Sequence, residues 1–292
     1  MPTDPSAPGT GGRYKVSNDD FRVSELPFEC PKGRGVRWYR VRRSGRDTPE
    51  VARALARAAG CESEDVGYAG LKDRDAITEQ RFTIAGPRGI RTMPPGLELV
   101  AQGETRNPLR PGDLDGNRFS MLVRGGDATI AARRIVELAR FPNRFGPQRV
   151  DSGLPELGRE VLLGQAERMD PQRRRFALIA WQAATFNRVL DARGGRSLSG
   201  DLMERGVATG PLFGTRMRWP RGAALALEEG VLDESGISLD HLDRVSHIVP
   251  GQRRPLVAHA IDAAVRPVPE GYWLDVTLGP GTYATSLLQE ML

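Results

Sequence analysis

Few of the residues that metal and acid–base chemistry most often use are present in this 292-residue sequence. It contains two cysteines, Cys30 and Cys61, and three histidines, and none of them forms a CxxC, HxH or HExxH motif. A structural zinc site is therefore not expected, and neither is catalysis by a histidine base or a Ser-His-Asp triad. The scarcity of cysteine predicts a reduced, cytoplasmic setting, and we expect any acid–base chemistry to depend on carboxylates.

Long apolar segments are also missing. The longest uncharged stretch, residues 276–289, is broken by glycine and proline and is too short for a transmembrane helix. Residues 1–12 are polar and rich in proline and glycine, so they predict a disordered tail rather than a signal peptide. We therefore expect no association with a membrane.

Lysine is scarce as well, because Lys15, Lys32 and Lys72 are the only lysines among 42 basic residues. The charge is uneven: residues 1–150 carry 26 Lys and Arg against 19 Asp and Glu, whereas residues 151–292 carry 16 against 18. Arginine suits phosphates and bases, so the basic half favours a nucleic-acid partner. An arginine-biased genome explains much of the same excess.

The pattern of apolar residues indicates a sheet-based domain with a helical segment inside it. Alternation predicts strands, and spacing of three to four predicts helices. Predicted strands cover residues 36–42, 80–85, 97–102, 117–124 and 272–278. Predicted helices cover residues 49–59, 128–140, 155–164, 171–193, 199–205 and 283–291, with Thr48 as the N-cap of the first.

One segment, residues 66–82, places an aspartate in a tight turn between two predicted strands. The turn reads Lys72-Asp73-Arg74, and these flanking cations favour the ionised form of Asp73. A charged turn of this kind is more often solvated surface than a catalytic site. Charge pattern alone therefore makes a catalytic Asp73 the less common alternative.

The same segment closely resembles the aspartate motif of the TruD family, the tRNA pseudouridine-13 synthases, which reads much like GxKDxxAxTxQ. The matching residues are Gly70, Lys72, Asp73, Ala76, Thr78 and Gln80. Five further segments match family motifs in the same order: residues 18–25, 116–119, 143–149, 186–187 and 280–286. Each match is weak alone, but six in order are specific, and the resemblance spans about residues 13–292.

This resemblance implies a fold of the α/β (α+β) class. The expected architecture is a pseudouridine-synthase-type mixed, largely antiparallel sheet with flanking helices, plus a smaller α-rich inserted domain. Residues 13–145 and 249–292 would form the catalytic domain, and residues 146–248 would form a TRUD-type insert. The insert is shorter than in typical members, and its acidic run at 228–243 is an unusual surface for RNA.

The resemblance also implies a reaction. A uridine of tRNA, at position 13, is flipped out, its N1–C1′ bond breaks, and the uracil rotates and rejoins through C5. This isomerisation needs no cofactor and no metal, and we expect a monomer that acts on tRNA. Asp73 falls on the catalytic carboxylate, which would act as a nucleophile toward the sugar or the base, or as a base on the sugar.

Five other residues are expected at the uridine site. Phe21, Asn117 and Tyr283 match positions that line it in the family, and Phe119 is expected to stack on the target base. Lys15 is expected to pair with Asp73, and Arg149 is a competing candidate. The alternatives are core positions for the aromatic residues, a turn residue for Asn117 and an exposed charge for Lys15.

Two other functions are compatible with parts of the sequence. A non-catalytic RNA-binding protein or RNA chaperone would share the fold, but the intact Asp73 motif with Phe21, Asn117 and Phe119 favours the enzyme. A glycosidase would need two paired carboxylates. Asp73 and Asp75 lie in one short turn with no evident acid partner, so this function is less favoured.

Overall fold

The computed structural model describes residues 9–26, 33–86 and 89–292. Among these residues, no helix combines the length and the apolar character that crossing a bilayer requires. The strands in chain order are β1 Phe21–Glu25, β2 Val36–Ser44, β3 Val66–Tyr68, β4 Ile77–Ala85, β5 Leu97–Thr105, β6 Asn117–Arg124, β7 Arg140–Pro142, β8 Met203–Glu204, β9 Val207–Leu212, β10 Gln252–Pro255, β11 Val257–His259, β12 Ile261–Val268 and β13 Gly271–Leu278. The helices are α1 Thr48–Ala59, α2 Ala128–Glu137, α3 Pro147–Val150, α4 Leu154–Leu163, α5 Pro171–Arg193, α6 Gly222–Glu234, α7 Leu239–Arg244 and α8 Ala284–Met291.

Eight of these strands form one sheet in the order β12-β13-β6-β1-β4-β2-β5, with β3 paired to β4. The pair β1–β4 is parallel, and the other pairs of this sheet are antiparallel. The predicted mixed, largely antiparallel sheet is therefore confirmed. Because β1 and β4 run in the same direction, the segments that precede them, around residues 15–20 and 70–76, enter the sheet from the same end.

The described residues form two compact units. The first unit contains residues 140–259 and 282–290, and the second contains residues 9–139, 260–281 and 291–292. The sequence placed the ends of the insert at residues 146 and 248 instead. The pairing of β7 with β11 extends the first unit at both ends of the predicted insert. Residues 282–290 also join this unit, in which Ser286 Oγ donates to the Arg144 carbonyl (2.7 Å).

Helix α1 shows how the sequence builds the second unit. Asp47 accepts a hydrogen bond from the backbone of Glu50 (2.8 Å) as the N-cap, and Gly60 ends the helix with a left-handed φ of 67°. The prediction of Thr48 as the N-cap is therefore wrong by one residue. The buried face of α1 packs against Tyr39, Val41 and Phe82 of the sheet.

The first unit is rich in helices and has its own core. That core contains buried apolar residues of α4, α5 and α6 together with the loop residue Phe213. Helix α5 begins at Pro171, after the N-cap Asp170, and ends at Arg193 before the left-handed Gly194, as the sequence predicts. The α-rich unit expected beside the sheet is therefore present.

The predicted helix at residues 199–205 is wrong. These residues lead instead into the hairpin β8–β9, in which Glu204 pairs with Val207 across a two-residue turn. Both turn residues, Arg205 and Gly206, have positive φ values of 49° and 78°. Such a turn matches the twist of a hairpin, and its backbone conformation is incompatible with a helix.

The predicted disordered tail at residues 1–12 lies mostly outside the described residues. Within it, Thr10 is buried; its backbone N–H donates to Met291 (2.9 Å), and its hydroxyl lies 2.9 Å from the Tyr272 hydroxyl. The structure therefore differs from the prediction at this position. A polar composition predicted a solvated chain. Instead, the polar groups of Thr10 form hydrogen bonds with Met291 and Tyr272, which are distant in sequence.

A buried carboxylate near the start of β1 gives a test by pH. Asp20 is 1% exposed, and Arg124 donates to both of its oxygens at 2.6 and 2.9 Å. These hydrogen bonds hold the pKa of Asp20 below its usual range. A carboxylate with a lowered pKa stabilises the fold above its unfolded pKa, near 3.9, and this stabilisation is lost as the pH falls further.

We therefore expect the free-energy difference of unfolding between the wild type and Asp20→Asn to be largest at pH 5–7 and to narrow below about pH 4. Urea unfolding of both proteins at several pH values measures this free-energy difference. Asp19→Asn, at the exposed neighbouring carboxylate, is the control and should have a small effect throughout. A difference for Asp20→Asn that does not change with pH would contradict the expectation.

Candidate active site

The Asp73 turn, residues 70–76, connects β3 to β4 and is held from three directions. Gln80 Nε2 donates to the Gly70 carbonyl (2.6 Å), and the Lys72 N–H donates to Thr48 Oγ1 (2.9 Å). Lys72 Nζ donates to Glu25 Oε1 (2.7 Å), and both of these side chains are about 95% buried. The turn that carries Asp73 is therefore fixed by buried polar groups of β1, β4 and α1.

Sequence reasoning missed the role of Thr48 in this network. Its hydroxyl accepts from Lys72 N–H and Arg43 Nη2 and donates to Gln80 Oε1 (3.0 Å). Because Asp47 caps α1, the Thr48 side chain is available to hold the turn. The N-cap preference of threonine masked this role, and no periodicity in the sequence points to it.

Lys15 is the basic partner of Asp73. Its Nζ lies 2.5 Å from Asp73 Oδ2, and the lysine side chain is 13% exposed against 48% for the aspartate. Lys15 has a left-handed φ of 56°, a backbone conformation that costs a non-glycine residue energy. Of the two basic candidates, the structure pairs Lys15 with Asp73.

The cations that flank Asp73 in sequence do not contact it. Lys72 pairs with Glu25, and Arg74 pairs with Glu50 of α1. The cation in contact with Asp73 is instead Lys15, as expected, which is 58 residues away in sequence. Whether Lys72 and Arg74 favour the ionised form of Asp73 stays a prediction.

Two aromatic residues of the sheet, Phe21 and Phe119, form a series of contacts that begins at Lys15. Lys15 Nζ lies 4.3 Å from the centre of the Phe21 ring, and the Phe21 and Phe119 rings meet edge to face with centroids 6.0 Å apart. Phe119 on β6 pairs with Val23 of β1, so Phe119 and Phe21 share one face of the sheet. Phe21 is 2% and Phe119 is 7% exposed, so both rings are packed.

Asn117 lies two residues before Phe119, and its side chain is directed to the same face of β6. Its Oδ1 is buried and makes no hydrogen bond within the part of the chain that the structure describes. A buried acceptor without a partner is uncommon in native proteins, so Asn117 Oδ1 is a candidate to accept a hydrogen bond from a bound group. Asp73, Lys15, Phe21, Phe119 and Asn117 thus all lie in the second unit.

Tyr283 belongs to the first unit and has its own aromatic surroundings. Its ring centre lies 5.7 Å from that of Phe145, and the Arg254 guanidinium lies 4.1 Å from the Phe145 ring and 5.8 Å from the Tyr283 ring. Arg254 donates to Asn143 Oδ1 (2.7 Å), and burial lowers its pKa to about 10. This buried arginine is a second feature that the sequence did not reveal.

Comparison with a solved structure defines the class of fold. A crystal structure from Methanosarcina mazei, assigned to tRNA pseudouridine synthase D (TruD), matches with a TM-score of 0.70 and 18% identity, covering 98% of this chain and 94% of that one. This similarity concerns the fold alone. The predicted pseudouridine-synthase-type fold is therefore confirmed.

Sequence comparisons identify the family. The family model described as tRNA pseudouridine synthase D (TruD) matches residues 5–167 and 199–291. A curated tRNA pseudouridine synthase D from Anaeromyxobacter sp. is 36% identical, covering 98% of this chain and 93% of the relative. One from Thermus thermophilus is 34% identical, covering 98% and 90%. The chain therefore belongs to the TruD family, and the comparisons give no support to a non-catalytic RNA-binding protein.

Proposed function

We propose that this protein is an isomerase that converts uridine 13 of tRNA to pseudouridine in the cytoplasm. The observation that carries the proposal is the Lys15–Asp73 pair, held on a rigid turn in a chain of the TruD family. The second unit acts as the catalytic domain, and the α-rich first unit acts as a TRUD-type insert. The basic balance of residues 1–150 supports an RNA substrate.

Asp73 is the catalytic carboxylate in this proposal. The reaction breaks the N1–C1′ bond and forms a C1′–C5 bond; C5 then loses its proton and N1 gains one, so no atom or electron is exchanged with a cofactor. Asp73 acts as a nucleophile on the sugar or the base, or as a base on the sugar. Each role requires a carboxylate that substrate can reach, and the Asp73 side chain is 48% exposed.

Lys15 fixes the orientation of Asp73, and the other site residues bind the uridine. Phe119 stacks on the uracil, because a stacking face tolerates rotation of the base in its own plane. The unpaired Asn117 Oδ1 accepts from the uracil N3–H, and Phe21 supports both Lys15 and Phe119. Tyr283 is also proposed as a substrate-binding residue, on the family motif that residues 280–286 match.

Unmodified tRNA transcripts provide the direct test. Incubation with the protein, followed by carbodiimide modification and reverse-transcription stops, maps each pseudouridine. We expect a single new stop for position 13. Modification at other positions would contradict the assignment of the site, and no modification of any transcript would contradict the enzyme activity.

A substitution at Phe119 separates stacking from packing. Phe119→Leu keeps most of the apolar volume, so we expect less than about 1.5 kcal/mol loss in the free energy of unfolding. Loss of the ring removes roughly 1–3 kcal/mol of base stacking. This corresponds to a fall of about 5- to 150-fold in the single-turnover rate constant.

Phe119→Ala is the comparison variant, and it should lose about 3–5 kcal/mol of stability as well, because Phe119 is 7% exposed. Melting temperature and single-turnover rate are measured on both variants. A folded Phe119→Leu protein that reacts at the wild-type rate would show that Phe119 is only a core residue.

A further inference from the structure

Two of the most exposed large apolar side chains flank the Asp73–Lys15 pair. Leu71, two residues before Asp73, is 66% exposed, and Val16, next to Lys15, is 57% exposed. An exposed apolar side chain alone is common on protein surfaces. Two of them beside a carboxylate and ammonium pair suggest a surface that is covered when substrate binds.

The contacts of the turn explain why Leu71 points outward. Both of its neighbours form hydrogen bonds with buried residues. The Gly70 carbonyl accepts from Gln80. The Lys72 N–H donates to Thr48, and the Lys72 ammonium donates to Glu25. Leu71 lies between these anchors without a buried environment. The turn therefore presents an apolar side chain on a rigid support, which a flexible surface loop would not do.

Charge beside the turn indicates what covers it. A groove of about 410 Å³ runs along α1 from the Asp73 turn and is lined by Arg46, Arg53, Arg57 and Arg74. Its only lining carboxylate, Glu50, is paired with Arg74. Leu71 and Arg74 belong to the same turn, so guanidinium groups that suit a phosphate backbone lie near an apolar side chain that can meet its bases.

We propose that Leu71 packs against the bases that the target uridine leaves behind when it flips toward Asp73. This inference rests on the proposed function. Extruding a base costs stacking energy, and an apolar wedge against the unstacked neighbours offsets part of that cost. Leu71 is thus a positioning residue that acts on the RNA, and it takes no part in the chemical step.

The first experiment measures the chemistry of Leu71→Ala. On a folded tRNA transcript, we expect the single-turnover rate constant to fall about tenfold or more, because unstacking costs a few kcal/mol per step. On a transcript with an abasic residue next to the target uridine, the loss should shrink to less than about twofold, since little stacking is left to replace. Leu71→Met should restore most of the rate on the folded transcript.

Controls distinguish an effect of Leu71 on RNA binding from an effect on folding. Val136, on α2, is 74% exposed, and Val136→Ala should leave the rate unchanged. The melting temperature of Leu71→Ala should match that of the wild type, because an exposed side chain contributes little to the core. Wild-type rates for Leu71→Ala on the folded transcript, or an equal loss on both transcripts, would overturn the proposal.

A second measurement is independent of turnover. With 2-aminopurine beside the target uridine, base flipping raises the fluorescence, and Asp73→Asn allows flipping to be observed without chemistry. We expect Asp73→Asn/Leu71→Ala to give a smaller rise than Asp73→Asn alone, and an equal rise would overturn the proposal. If the wild type formed no pseudouridine, the proposed function would fail, and the fluorescence would still decide the role of Leu71.

Discussion

Replacing Asp73 by asparagine is expected to abolish pseudouridine formation and to leave tRNA affinity within about threefold of the wild type. The amide keeps the size of the side chain and one oxygen that can face Lys15 Nζ. It loses the charge and the basicity that every proposed role of the carboxylate needs. We expect the single-turnover rate constant to fall by at least about 10²- to 10⁴-fold, the range for loss of a general acid or base.

The neighbouring carboxylate offers a matched control. Asp75 is exposed, lies in the same turn and has the same charge, so Asp75→Asn tests whether the loss is specific to Asp73. It should retain activity within a few-fold. Filter binding and pseudouridine mapping are carried out on both variants. Appreciable turnover by Asp73→Asn would remove Asp73 from the chemistry while leaving family membership unaffected.

The buried pair Lys72–Glu25 is expected to give the largest effect on stability. Lys72→Met leaves the Glu25 carboxylate in a site where it is 6% exposed. Among the described residues, the donor that remains for this carboxylate is the Arg81 backbone N–H (3.0 Å). Removing one member of a buried ion pair typically costs about 3–5 kcal/mol, because the other charge stays desolvated. We therefore expect a loss of that size in the free energy of unfolding.

Two further variants separate this desolvation cost from a loss of packing. The double variant Glu25→Gln/Lys72→Met removes both charges and should recover a large part of the loss. Arg188→Met breaks an exposed pair with Glu234, whose members are 47% and 70% exposed, and should cost less than about 1 kcal/mol. Urea unfolding measures all four proteins, and equal losses for Lys72→Met and the double variant would contradict the desolvation argument.

Features that depend on neighbouring residues were predictable from the sequence. Strand β6 at Asn117–Arg124 and helix α5 at Pro171–Arg193 have the predicted bounds, because alternation, a proline near the start of the helix and a glycine after its end are local signals. The hairpin β8–β9 was missed, since apolar spacing over seven residues does not distinguish a short helix from a strand and a turn.

The candidate site also has some features that the sequence predicted and others that it did not. Motifs in the sequence were enough to name Asp73, Lys15, Phe21, Asn117 and Phe119, and the expected pairing of Lys15 with Asp73 is present. The buried partners of Lys72 and the edge-to-face contact of Phe21 with Phe119 were not predicted. Whether each residue has its expected role in catalysis stays a prediction.

The order of motifs in the sequence determined the family and the identity of the candidate carboxylate, and the class of sheet followed from that resemblance. Only the tertiary structure decided how that carboxylate is held. Lys15, Glu25, Thr48 and Gln80 approach the Asp73 turn from distant positions, and a buried polar group needs its partner wherever the fold brings one close. The exposure of Leu71 is likewise a property of the fold, since it follows from the inward hydrogen bonds of the residues on either side.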